Sequence, residues 1–240
     1  MEKAFLLDTN ASSKPLYENL KNNNFEVFTI GNNTEDILAC GEFNFIQLDY
    51  SDYDKVISLM KEMEVSYVLP GCNDASYLSC SHINEKLDLK MNIESVYNTM
   101  LLNEKDKFRA FCLRNDIYSP KLYVNINDID SDQIIIKPVD SFSGKGITIL
   151  DKNFKREDLN NAIRIAEQNS NSKKYVIEEF IEGQLYSFSC FIENEKIKNY
   201  FIVEEYSKVN RFSVDISYLV NDLNEKISQS IISQIERVSS

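Results

Sequence analysis

The residues best suited to chemistry stand together in Ile134-Ile-Ile-Lys-Pro-Val-Asp-Ser-Phe-Ser-Gly-Lys-Gly-Ile-Thr-Ile-Leu150. Two β-branched, apolar runs bracket a loop of small residues, a pattern that predicts strand, loop and strand. Lys137 closes the first strand, and Lys145 lies in the loop between Gly144 and Gly146. Glycines let a backbone approach a ligand closely, and loop N–H groups beside lysines suit phosphate oxygens. The loop is not a Walker A motif: the upstream glycine is missing, and Gly146 stands where Ser or Thr would follow the lysine. A tip carrying Ser143, Gly144, Lys145 and Gly146 is expected to act as a flap over phosphates. A solvated hairpin turn is the alternative. Lys137 follows three isoleucines and precedes Pro138, so its ammonium is expected at a cavity, with an anionic ligand as its missing partner.

Other chemistries are poorly served. His82 is the single histidine, which nearly excludes Ser–His, Cys–His and histidine-rich zinc sites. Cys40, Cys72, Cys80, Cys112 and Cys190 lack a close pair at metal-ligand spacing. Their odd number, with no signal peptide and no long apolar span, leads to the expectation of a reducing cytoplasmic setting. Cys72 and Cys80 read as buried structural thiols. A net charge of −12 argues against nucleic acid and against an anionic membrane surface.

The elements that must position Lys137 read as α/β followed by α+β. Residues 1–92 alternate strands (4–7, 25–30, 43–48, 65–69) with helices (14–23, 52–63, 74–87), which favours a parallel, Rossmann-like sheet. The turn Asp8-Thr-Asn-Ala-Ser-Ser13 has no glycine and so lacks the dinucleotide fingerprint. Asp52 is expected to cap the second helix, with Val56, Ile57, Leu59, Met60 and Met63 inward. Asn73 and Asp74 follow a strand end, where a substrate could bind; alternatively, Asp74 caps the next helix. A linker, 93–130, carries a helix over 104–114 with Phe108, Phe111 and Cys112 inward and Leu101 extending that face. Lys105, Lys107 and Arg109 read as its solvated side. Strands are expected at 121–124, 133–138 and 147–150, then a helix to about 168, strands at 175–181, 186–192, 196–206 and 212–220, and a helix from Leu223. The domains are thus 1–92, 93–130, a small lobe 131–183 with flap and hinge, and 184–240 as the incomplete start of a central lobe with antiparallel sheet.

The order Asp106-Lys107, Lys137-Pro138, Ser143-Gly-Lys-Gly146 and Glu178-Glu-Phe-Ile-Glu-Gly183 resembles the ATP-grasp superfamily. The resemblance is to its carboxylate–amine ligases and to the large chain of carbamoyl-phosphate synthase, and it covers nearly the whole chain. It implies that Lys107 and Lys137 are the two nucleotide lysines, with Lys137 on α- and β-phosphate oxygens, and that residues 143–146 close over the phosphates. Glu178, Glu179, Phe180 and Ile181 would be the hinge beside adenine, with the Glu179 carbonyl accepting from N6 and the Ile181 N–H donating to N1. The implied cofactors are ATP and Mg2+. The implied chemistry is attack of a carboxylate on the γ-phosphate, then displacement of phosphate by an amine.

Two departures from the family pattern stand out. Leu185 occupies the position where an acidic residue usually holds the ribose, so ribose binding is expected to use Glu182, Gln184 or water, or to be weaker. The family's magnesium ligands lie beyond the final helix, so no metal residue is visible, and the chain alone is expected to be inactive or nearly so. Glu204 and Glu205 could substitute, but they read as solvated strand residues. The expected partners are ATP and an unidentified carboxylate, with a homodimer allowed. A degenerate nucleotide-binding or scaffold protein is the alternative function.

Overall fold

The computed structural model describes residues 1–41, 43–141, 144–221 and 223–239. Contacts divide the chain into two compact units, Met1–Asn103 and Glu104–Ser240.

The first unit is built on β1 (Glu2–Leu7), β2 (Phe25–Gly31), β3 (Asn44–Gln47) and β4 (Tyr67–Pro70). They form one sheet in the order β3-β2-β1-β4, with every pairing parallel. Around it lie α1 (Lys14–Asn22), α2 (Tyr53–Glu62), α3 (Asp74–Leu87) and α4 (Val96–Asn103). Strand side chains alternate between faces, so β1 contributes to two separate cores. Phe5 and Leu7 join Ile30, Val56, Met60 and Ile83, while Ala4 and Leu6 join Leu20, Val27 and Leu38. Burial of both faces is the usual state of a parallel sheet, and it explains why Ala4 to Leu7 are all fully buried.

Local signals set the helix starts. The Asp52 carboxylate accepts from the Lys55 N–H, as its position before α2 predicts. Val56, Ile57 and Met60 are buried, and Leu59 and Met63 pack on the same core partly exposed. At the other end, Glu64 adopts φ 55° and the Val65 N–H donates to the Met60 carbonyl at 2.8 Å. Val65 therefore closes the helix, and β4 begins at Tyr67 rather than at 65. Between β2 and β3 the described residues contain no helix; Leu38 is fully buried there, its carbonyl accepting from Thr29 Oγ1.

The second unit opens with α5 (Lys105–Arg114). Leu101 lies in α4, because the helix breaks at Glu104 in extended backbone, so it does not extend the α5 face. Strands β5 (Gln133–Pro138), β6 (Thr148–Asp151) and β7 (Tyr175–Glu179) form an antiparallel sheet, ordered β6-β5-β7. Helix α6 (Arg156–Gln168) covers one face with Leu159, Ala162 and Ala166. A second antiparallel sheet, β10-β9-β8, comes from β8 (Leu185–Glu193), β9 (Lys196–Tyr206) and β10 (Ile216–Val220), followed by α7 (Glu225–Ser239). Asn194 and Glu195, both at positive φ, turn the β8–β9 hairpin in two residues. The strand expected at 121–124 is reduced to one bridge, Leu122 to Glu178. Asn125 caps a short 3-10 helix at Ile126–Asp128, which turns the chain away from β7.

Candidate functional site

Strand geometry gathers the charged residues of the second unit. In β5, Ile134 and Ile136 face α6, which leaves Ile135 and Lys137 on the opposite face. Ile135 pairs with Glu178 of β7, so Glu178 shares that face and lies diagonal to Lys137. The Lys137 ammonium is 2.5 Å from Glu178 Oε2, and Arg109 Nε of α5 donates to Oε1 at 2.7 Å. Glu178 is completely buried, while the side chains of Lys137 and Arg109 are 18% and 17% exposed. Oε2 receives no hydrogen bond of ordinary geometry although the ammonium is close; the contact is an ion pair off the donor direction.

These contacts correct two expectations. The partner of Lys137 is a buried carboxylate of the same unit, supplied across the sheet. Nor is the 105–109 side of α5 solvated as a whole. Lys105 Nζ donates to the Val139 and Ser141 carbonyls at 3.2 and 2.8 Å, at the base of the β5–β6 loop. Burial, reinforced by the charge of Lys137, pushes the Lys105 ammonium below its usual value. Lys107, in contrast, pairs with Glu104 of its own first turn and is 40% exposed. The available signal for Lys105 and Arg109 was their i, i+4 spacing, continued at i+7 by buried Cys112.

The β5–β6 loop is held at several points. Asp140 accepts from Ser170 Oγ and from the Asn171 and Ser172 N–H groups. Burial pushes its carboxyl up, but these hydrogen bonds outweigh burial and leave it below the ordinary value. Gly144 and Gly146 both have positive φ. A Cβ at Gly144 would stand 2.4 Å from Phe212 Cβ, and one at Gly146 would stand 2.6 Å from Asn169 Cβ. The Lys145 carbonyl accepts from Ser141 Oγ. Ser143 lies outside the described residues.

The segment expected to act as a hinge overlaps the end of β7. Glu179 exchanges contacts with Lys121, its N–H donating to the Lys121 carbonyl and its carboxylate accepting from the Lys121 N–H. The Phe180 N–H donates to Gln133, and the Arg211 guanidinium lies 4.9 Å from the Phe180 ring centre. The Ile181 side chain is 64% exposed. Gln184, a candidate for ribose, donates instead to the Glu205 and Leu185 carbonyls.

In the first unit, Asn73 and Asp74 stand at the carboxyl end of β4, next to β1, where the sheet changes direction of winding. The helix cap is Asn73 rather than Asp74: its Oδ1 accepts from the Ser76 N–H at 2.9 Å. Asp74 is the first helical residue and joins Cys72, Tyr77, Glu94, Thr99 and Asn103 around a depression of about 340 Å³. Nearby, buried Asp8 accepts from Ser13 Oγ at 2.6 Å and from Asn10. Cys72 is exposed, contrary to its reading as a structural thiol, whereas Cys80 is buried and its thiol pushed up by burial.

Cations around a buried carboxylate suit an anionic ligand such as a phosphate chain. Among the described residues there is no group of three or more His, Cys, Asp or Glu side chains that could hold a metal ion. No curated protein matches the chain in sequence. Residues 111–213 match the ATP-grasp (A) domain of phosphoribosylglycinamide synthetase. Among solved structures, L-amino acid ligase from Bacillus licheniformis superposes with a TM-score of 0.74 at 17% identity, over 99% of this chain and 59% of that one. Phosphoribosylglycinamide synthetase from Anaerococcus prevotii gives 0.69 at 15%, over 99% and 60%. N5-carboxyaminoimidazole synthetase from Staphylococcus aureus, complexed with ADP, gives 0.70 at 14%, over 99% and 62%. The chain therefore spans about 60% of the length of such structures. Residues 111–213 thus match an ATP-grasp (A) domain, and nearly the whole chain shares the fold of these structures.

Proposed function

We propose that the second unit binds ATP along the face formed by Lys137 and Glu178, as part of a ligase that joins a carboxylate to an amine. The observation that carries this reading is the pairing of Arg109 and Lys137 with one fully buried carboxylate, Glu178, beside Lys105 at the base of the β5–β6 loop. Two cations against Glu178, with Lys105 at the adjoining loop carbonyls, leave positive charge for phosphate oxygens on an otherwise acidic chain. The family match supports the adenine position at Glu178–Ile181, with backbone groups of Glu179 and Ile181 reading the base. Residues 144–146 would cover the phosphates, with Ser143 belonging to the same motif. In this scheme Lys107 is a further phosphate contact once it leaves Glu104. The corresponding segments are 1–92, 93–130, 131–183 and 184–240.

In the proposed reaction a carboxylate oxygen attacks the γ-phosphorus, and the bond to the bridging β-oxygen breaks, releasing ADP. An amine then attacks the acyl carbon; phosphate leaves with the bonding electrons, and the amine loses a proton. This chain's residues would bind, orient and screen charge, with no metal-dependent step assigned to them. The carboxylate would lie near Asn73 and Asp74. No helix among the described residues is long and apolar enough to cross a membrane, and a cytoplasmic enzyme is the proposed setting. A nucleotide-binding protein without turnover is the second reading.

Calorimetry with ATP on the parent and on Lys137→Met tests the binding site. The substitution removes a charge-assisted contact of ~1.5–3 kcal/mol, roughly tenfold to hundredfold in affinity. Equal affinities would take Lys137 out of the site. ADP release that requires magnesium, a carboxylate and an amine would establish the ligase over the silent binder.

A further inference from the structure

We infer that Arg109 is a positioning residue for the nucleotide: it keeps Glu178 compensated so that Lys137 can leave that carboxylate for a phosphate. The inference rests on the proposed phosphate role of Lys137. Glu178 has no exposed surface, and a carboxylate so placed needs a cation beside it at every stage. Its two oxygens are served unequally. Oε1 takes a 2.7 Å hydrogen bond from Arg109, whose guanidinium is permanently charged and seated on α5. Oε2 has the Lys137 ammonium 2.5 Å away, without a hydrogen bond of ordinary geometry. The ammonium is a point charge on a flexible four-carbon stem, so it is the partner free to turn.

With Arg109 in place, departure of Lys137 leaves Glu178 still paired. Without Arg109, the same movement would strand a buried charge, and the carboxylate would hold Lys137 away from the ligand. Lys105 is no substitute, because its ammonium already donates to the Val139 and Ser141 carbonyls. Arg109 thereby couples α5 to the strand pair β5–β7 through side chains separated by 69 positions in sequence.

The test is ATP titration of Lys137→Met, Arg109→Met, Arg109→Lys, Glu178→Gln and the double variant Arg109→Met/Glu178→Gln, with a thermal melt for each. Arg109→Met should bind about tenfold or more weakly, and Arg109→Lys should recover most of that loss. In the Glu178→Gln background, where no buried charge remains, removing Arg109 should change affinity by less than about twofold. That comparison stands even if Arg109→Met alone fails to fold. Weakened binding in Lys137→Met beside unchanged binding in Arg109→Met would overturn the inference and leave the proposed site intact. Equal binding by Lys137→Met and the parent would overturn the site itself. An Arg109 effect of the same size in both backgrounds would mark a merely structural side chain and overturn the inference.

Discussion

The crevice at the carboxyl ends of the first sheet and the face of β5 and β7 solve opposite electrostatic problems. In the crevice, Asp8 is buried and satisfied by neutral donors, Ser13 Oγ and the Asn10 amides, and Asp36 accepts from Thr9 and Asn33. On the second face, the equally buried Glu178 is met by full charges, Arg109 and Lys137. Hydroxyls and amides hold a carboxylate in one geometry. Mobile cations can also hold it, and can then be lent to another anion. Acidic groups line the first site, and cations meet the buried carboxylate of the second.

The largest effect expected from breaking this comparison is at Glu178. Glu178→Ala leaves Arg109 and Lys137 facing each other without a counter-charge, at a cost of about 3–5 kcal/mol. A melting temperature lowered by less than about 3 °C, equivalent to roughly 1 kcal/mol at this size, would show that the pair is solvated in practice. In the crevice the sharpest steric constraint is Gly71, where a Cβ would stand 2.1 Å from Asp8 Cβ and 2.6 Å from Ser13 Oγ. Gly71→Val should therefore cost about 3 kcal/mol, read as a lower melting temperature, with ATP affinity unchanged where the protein remains folded. Loss of ATP binding in that folded variant would show that the crevice also bears on nucleotide binding. The smallest effect belongs to Asn73→Ala, which removes the α3 cap and about 1 kcal/mol. A chemical denaturation midpoint equal to the parent's would show that Asn73 is held for another purpose.

Parts of the second face were legible in advance. Three isoleucines ending in Lys137-Pro138 announced a buried strand with a lysine at its end, and the glycines at 144 and 146 sit at positive φ. Arg109 was not legible, because a cation on an amphipathic helix has the same spacing whether it meets water or a buried carboxylate. For the same reason the periodicity around Lys105 and Lys107 could not tell which of the two would turn toward the loop and which would pair with Glu104. Asn73 and Asp74 show the limit from the other side: both are good caps, and the choice between them depends on backbone angles, φ −150° at Asn73.

What the amino-acid order determined alone is the set of local preferences. It set the alternation that splits Phe5 and Leu7 from Ala4 and Leu6, the cap at Asp52, and the strand–loop–strand of 133–151. Each follows from steric and hydrophobic rules acting within a few residues. The tertiary structure alone decided which charges meet. Glu178 is placed diagonal to Lys137 by the β5–β7 register and opposite Arg109 by the seating of α5. Coulomb attraction in a buried site is strong but carries no sequence period, so only the folded chain could choose those partners.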